Sequence, residues 1–201
     1  PEKAVELFLR YGEACRHKDD LDGAKKALAK AMEFSPKDPR VIRSNAEVAF
    51  LREEYQEAAS LFDDYLLRLG DELEASEKVR ILVQLATSYR ETDNLAKAVD
   101  ALGNALELEP ANRQALELRA DLHEKRQDYK EAVEDLRGVL NTDLGDDERF
   151  AILLRIGALL RENLDDADRA AKSLQAALEI EPEHRATLLK IMQVYMGLER
   201  W

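Results

Sequence analysis

One cysteine, five prolines and eight glycines are spread over 201 residues. With Cys15 alone, neither an internal disulfide nor a cysteine-based metal cluster can form, which suits a reducing compartment such as the cytoplasm. Pro1 is not an initiator methionine, so the stretch reads as an excised piece without its targeting segment, and a periplasmic location stays open. No run of β-branched residues alternates with polar ones, and strands are therefore not expected. The most apolar run, Ala151 to Leu160, contains Arg155 and falls well short of the ~20 residues that cross a bilayer. Basic residues are outnumbered, 30 Lys and Arg against 42 Asp and Glu, for a net charge of −12. That balance argues against nonspecific nucleic-acid binding and against attachment to anionic membranes, both of which need a local excess of cations.

Chemistry-bearing patterns are equally sparse. No Gly-rich phosphate loop, nucleophile elbow or Ser, His and Asp constellation occurs, so no enzyme activity and no cofactor are expected. His17, His123 and His184 are far apart and form no metal-ligand spacing. The acidic runs Asp63-Asp64, Asp146-Asp147-Glu148 and Asp165-Asp166-Ala167-Asp168 lack the alternation and turn glycine of a calcium loop. The last two stand at expected helix starts, where carboxylates satisfy free backbone N–H groups.

What the chain does have is a repeated pattern, seen most clearly from Leu82 to Pro110. Leu82, Leu85, Ala86 and Tyr89 fall on one helical face. Glu91-Thr92-Asp93-Asn94 breaks it, with Asp93 or Asn94 as a candidate cap for a second helix. Leu95, Ala98, Leu102, Ala105 and Leu106 share that second face until Pro110 ends it. Phe8, Tyr11, Gly12 and Cys15, then Ala24, Leu28, Ala31 and Pro36, repeat the pattern. Ile42, Asn45, Ala46 and Ala49 with Tyr55, Ala58, Phe62 and Tyr65 form another unit, which runs to Leu69 and stops at Gly70, a candidate left-handed terminator. Leu116, Ala120 and His123 with Tyr129, Ala132, Leu136 and Val139 make a fourth. Ile156, Gly157 and Leu160 with Ala170, Leu174, Ala177 and Pro182 make a fifth, with one extra residue in its turn. Leu188, Ile191, Met192 and Tyr195 open a sixth. The expected units are 5–38, 39–72 with a linker to 78, 79–112, 113–149, 150–184 and a truncated 185–201.

These residues resemble the tetratricopeptide repeat (TPR), a helix-turn-helix unit of about 34 residues with a closing proline. Five in-phase matches cover essentially the whole chain, with Pro36, Pro110 and Pro182 at unit ends. The Trp-type position holds Leu, Ile or Phe, and Gly occupies its own position only at Gly12 and Gly157. The resemblance implies an all-α, right-handed superhelical solenoid of about eleven helices in a single array over 1–201. Units one, three and five close with Pro, units two and four with Leu-Gly-Asp, which suggests duplication of a two-repeat module. Longer helices are expected on both sides of Gly70 and Gly145.

The family also implies a function, a non-catalytic protein-protein interaction scaffold that holds a partner's peptide or helix in a concave groove lined by first helices. Carried over, the groove presents Leu9, Arg10, Glu13 and Arg16, then Arg40, Arg43, Ser44, Glu47, Phe50 and Leu51. It continues with Arg80, Val83, Gln84, Thr87 and Arg90, then Glu117, Leu118 and Asp121, then Leu154, Arg155, Ala158 and Arg161, and finally Leu189, Lys190 and Gln193. The basic balance of Arg40, Arg43, Arg80 and Arg90 against Glu47 points to an acidic partner segment, with Phe50, Leu51 and Val83 as apolar contacts. The competing expectation is that these arginines pair with acids on adjacent helices. The carboxylate clamp of chaperone-binding members is not matched, since its places hold Leu9, Glu13, Ser44, Arg80 and Gln84. A regulatory or substrate-recruiting arm of a larger enzyme and an oligomerisation module are the alternatives. The apolar helix from 185 to 201, with Leu198 and Trp201 at its end, suggests continuation of the chain or self-association.

Overall fold

The computed structural model describes residues 2–197, and Leu198 and Trp201 lie outside them. Eleven α-helices and no strand are found among the described residues. They fall into two compact units, one through Pro110 and the other from Ala111.

The first unit holds α1 (Glu2–His17), α2 (Leu21–Phe34), α3 (Pro39–Leu51), α4 (Tyr55–Leu69), α5 (Ala75–Glu91) and α6 (Leu95–Leu108). Each helix packs on the next in sequence, and α1 also meets α3. The repeated small and aliphatic positions form the core: Ala24, Ala58 and Ala98 are fully buried, as are Phe62 and Leu102, with Leu28 and Ile42 at 1% exposure. Small residues let paired helices approach closely. At Gly12 an added Cβ would stand 2.9 Å from Leu28 Cγ, and at Gly157 in the other unit 3.0 Å from Leu174 Cγ, which explains glycine at the same repeat position in both.

The second unit holds α7 (Arg113–Lys125), α8 (Tyr129–Leu140), α9 (Asp146–Glu162), α10 (Ala167–Ile180) and α11 (Arg185–Gly197). Ala120, Ala132, Leu136, Ile156, Leu160 and Ala170 build one core cluster, and Leu174, Ile191 and Val194 belong to a second. The two acidic runs of this unit stand at helix starts. Asp166 Oδ1 accepts from the Arg169 N–H at 3.0 Å, and the Glu148 carboxylate accepts from the Gly145 N–H at 3.2 Å, each satisfying a backbone donor that a helix start leaves free.

The first helices alternate in length: α1, α5 and α9 have 16, 17 and 17 residues, α3 and α7 have 13. This matches a repeat of two units. The helices around Gly70 are long, with 15 residues in α4, but α8 has only 12 and ends at Leu140, so the expected lengthening before Gly145 is absent. Gly70 is also not left-handed. Its backbone is right-handed helical, φ −56 and ψ −30, and glycine is needed because a Cβ would come within 2.4 Å of the Leu66 carbonyl oxygen.

Left-handed residues occur instead in the turns within repeats. Asp19, Glu53, Asp93, Gln127 and Asp165 all have φ between 51 and 65. After four of them the next N–H bonds five residues back, as in Asn94 to Tyr89 at 2.8 Å and Asp128 to His123 at 2.8 Å. In the fifth, Asp166 bonds to Leu160 at 2.8 Å, six residues back, which absorbs the extra residue. Asp93 therefore closes α5 in a left-handed cap of the Schellman type, and Asn94, although at the N-cap of α6, makes no side-chain cap bond.

Candidate functional site

The groove positions carried over from the family lie on α1, α3 and α5 in the first unit and on α7, α9 and α11 in the second. The structure brings many of them together around one carboxylate. Glu47, its side chain 12% exposed, accepts from Arg43 Nε at 3.1 Å and Arg80 Nη2 at 3.2 Å, and pairs with Arg16. Burial alone would push this carboxyl up, but the bonds from Arg43 and Arg16 outweigh it and hold the group below the usual carboxylate range. Arg43 also pairs with Glu77.

Pairs such as Arg43 with Glu77 and Arg80 with Glu47 join residues 34 and 33 positions apart, one repeat length, so they tie one first helix to the next. In the second unit Arg113 reaches Glu148, Arg155 reaches Asp121 and Glu124, and Arg161 reaches Gln193, over similar separations. The expectation that these arginines pair with acids on adjacent helices is met for Arg40, Arg43 and Arg80 but not for Arg90, whose acid lies in its own helix. Arg90 is paired with Glu91 at 2.8 Å.

The apolar residues behave differently from expectation. Val83 is buried at 4% exposure, a correction to its place on the open face. It is one of eight buried residues in α5, a helix packed by α4 and by α6, so burial extends beyond a single stripe. Phe50 is half-buried with edge contacts to Tyr55 and Phe62, centroids 5.9 and 6.4 Å apart. Leu51 is exposed at 49%. Thr87 donates to the Val83 carbonyl at 2.9 Å, while the buried Gln84 Oε1 has no hydrogen-bond partner among the described residues.

The open part of this face is a cavity of about 420 Å³ lined by Leu9, Arg10, Arg40, Arg43, Ser44 and Glu47, with others from α1, α2 and α4. Its most exposed cations are Arg10 and Arg40, with 77% and 65% of their side chains accessible. Both share Glu6: Arg10 Nε lies 2.9 Å from Oε1 and Arg40 Nη1 3.4 Å from Oε2. Arg40 is also held by Asp38 at 2.7 Å, a bond that lowers the Asp38 carboxyl from its ordinary value. Arg10 was only one member of the longer groove in the sequence. Its prominence comes from exposure, which repeat register does not encode.

The remaining singled-out residues have structural surroundings. Cys15 is buried. His123 is buried near Asp135, which Arg119 binds through two hydrogen bonds of 2.9 and 2.6 Å. His184 Nδ1 lies 2.7 Å from Thr187 Oγ1, and its ring packs edge-on to Phe150. Among the described residues, no group of three His, Cys, Asp or Glu is placed to hold a metal ion, and no helix is long and apolar enough to cross a membrane.

Helix pairs repeated at this spacing, with small residues at the pair contact, define a TPR architecture. Family models described as tetratricopeptide repeat match residues 83–148, 5–38 and 151–184. The chain belongs to the TPR family. It is similar in fold to the solved MamA protein, with TM-score 0.73 and 18% identity over 92% of this chain and 96% of that one. It is likewise similar to YrrB, described as a TPR protein with an unusual peptide-binding site, with TM-score 0.70 and 20% identity over 93% and 95%. A tetratricopeptide repeat protein from Parabacteroides merdae gives TM-score 0.66 and 19% identity over 98% and 75%. No curated protein matches.

Proposed function

We propose that the chain is a non-catalytic scaffold that captures an acidic peptide segment of a partner protein in the groove between α1 and α3. The observation that carries this reading is the pair Arg10 and Arg40, both widely exposed at the cavity and, among the described residues, sharing only Glu6 between them besides the Asp38 bond of Arg40. Exposed ion pairs are weak, so a partner carboxylate can take the place of Glu6, and a guanidinium can bind it through two bonds. The preformed helices limit the ordering cost of binding. TPR folds in general serve protein interaction, and YrrB has a peptide-binding site, which supports the same reading here.

The structure also shapes the test. Arg43 and Arg80 hold Glu47, so reversing them would disturb the fold as well as the groove. Arg10→Glu with Arg40→Glu leaves that centre intact. The double variant is expected to weaken binding of a glutamate-rich peptide roughly tenfold or more, since two exposed attractions become repulsions. Isothermal titration calorimetry reads this directly, and unchanged affinity rejects the groove.

A second reading is favoured by α11, where Leu189, Met192 and Met196 are exposed at 60, 57 and 54%. Self-association through this stripe would cover it. Sedimentation of wild type should then show a concentration-dependent dimer that Met192→Lys abolishes, and a monomer at all concentrations excludes it.

A further inference from the structure

A second opening in the first unit lies away from the proposed peptide groove and shares no lining residue with it. It is a cavity of about 510 Å³ between α4 and α6, with α5 as its floor. Leu66, Leu82, Leu85, Ala101 and Leu108 give it an apolar lining. Tyr89 completes the floor, its hydroxyl donating to Asp63 and its ring lying 5.1 Å below the Lys97 ammonium. Burial and the Asp63 carboxylate both push the Tyr89 hydroxyl above its ordinary value, so it remains a neutral donor.

Elsewhere successive second helices are tied together. Lys25 of α2 reaches Glu54 at the start of α4 at 2.6 Å and Glu57 at 3.0 Å, and Arg169 of α10 reaches Glu134 of α8 at 3.1 Å. Among the described residues none of the ion pairs joins α4 to α6. The rim of this opening instead presents Asp100 and Glu107, both exposed on α6. Seven residues apart, they stand two turns along one side of the helix, about 10 Å of rise. Lys78 also lines the cavity, at the end occupied by the start of α5, and Lys97 is engaged with the Tyr89 ring.

A trough between two helices with apolar residues on its floor and charged residues on its rim accepts the apolar stripe of a third helix, which is the helix-in-groove mode of recognition. The two rim carboxylates then select cations at the same seven-residue spacing, and the net charge of −12 steers a basic partner toward the protein. We propose that the trough between α4 and α6 is a second docking site, and that its occupant is a basic amphipathic helix of a partner protein. This site is independent of the acidic-peptide groove.

The test uses a synthetic amphipathic helix with leucines at i, i+3, i+4 and i+7 and lysines seven residues apart beside the stripe, and a twin with glutamates in the lysine places. Fluorescence anisotropy should show binding of the lysine helix to the wild-type chain and much weaker binding of its twin. Asp100→Lys with Glu107→Lys should weaken the lysine helix roughly tenfold. Asn104→Trp, which fills the trough without changing charge, should also weaken it, while Arg10→Glu with Arg40→Glu should leave it unchanged. Circular dichroism verifies that each variant is folded. Absence of binding by the lysine helix, equal binding of the twin, or wild-type affinity in both trough variants overturns the proposal.

Discussion

Phe62→Ala is expected to cost about 3–5 kcal/mol of unfolding free energy, a large part of the ~5–15 kcal/mol that holds a typical domain. Phe62 is fully buried and meets Phe50 edge-on, centroids 6.4 Å apart. Removing the ring leaves a cavity in α4 that the neighbouring helices, set close by small residues such as Ala58 and Ala46, have little room to collapse into. In repeat proteins each unit is stabilised chiefly by its neighbours. Hydrogen exchange should therefore show protection lost first in α3, α4 and α5. A urea midpoint within error of wild type would mean that Phe62 does not anchor this unit.

The second large effect is expected at Glu47. Glu47→Lys places a cation beside Arg16, Arg43 and Arg80 where their shared acceptor stood. A fully buried pair broken in this way costs about 3–5 kcal/mol, but these arginines reach solvent, so roughly 2 kcal/mol is expected. The same site sets part of the acid stability. The folded Glu47 carboxyl is held below its usual range, so its contribution is complete above the unfolded value of about 4.3 and disappears as pH falls through the lower folded value. In wild type, stability should fall across that acid range. In Glu47→Gln the share due to this group should be missing at neutral pH, and the acid limb correspondingly shallower. Parallel pH profiles for the two proteins would contradict the assignment.

These effects rest on features that the sequence shows unequally. Periodicity is strong where each helix has one neighbour-facing stripe, which is why Leu82, Leu85, Ala86 and Tyr89 are recognisable and buried. In the same helix, α5, burial reaches beyond that stripe to Val83, a position the stripe leaves out. Periodicity fails in the opposite direction at Tyr11, in register with the buried Leu85 yet 58% exposed, because α1 has no preceding described helix to cover it. Turn conformation was also hidden. Asp93 and Gln127 adopt a left-handed geometry usually given to glycine, so composition offered no sign of it, whereas Gly70 looked like such a residue and is right-handed.

The candidate site divides along the same line. Repeat register placed Arg40, Arg43, Glu47 and Arg80 on first helices, where Arg43 and Arg80 meet Glu47 and Arg40 meets Glu6 and Asp38 instead. Register says nothing about which charges satisfy one another. Glu47 takes up Arg43 and Arg80 within the fold, and exposure leaves Arg10 with Arg40 as the cations available at the cavity. The trough between α4 and α6 was not legible at all, since Leu82, Leu85 and Tyr89 of its floor read simply as a buried helical face and no pattern singles out Asp100 or Glu107 on its rim.

The central claim is that an acidic peptide binds between α1 and α3, and amide chemical-shift mapping during titration of a glutamate-rich peptide tests it most directly. The expected result is a saturable set of shifts at Leu9, Arg10, Arg40 and Ser44, lost in Arg10→Glu with Arg40→Glu. Shifts confined to other helices, or none at saturating peptide, would contradict it.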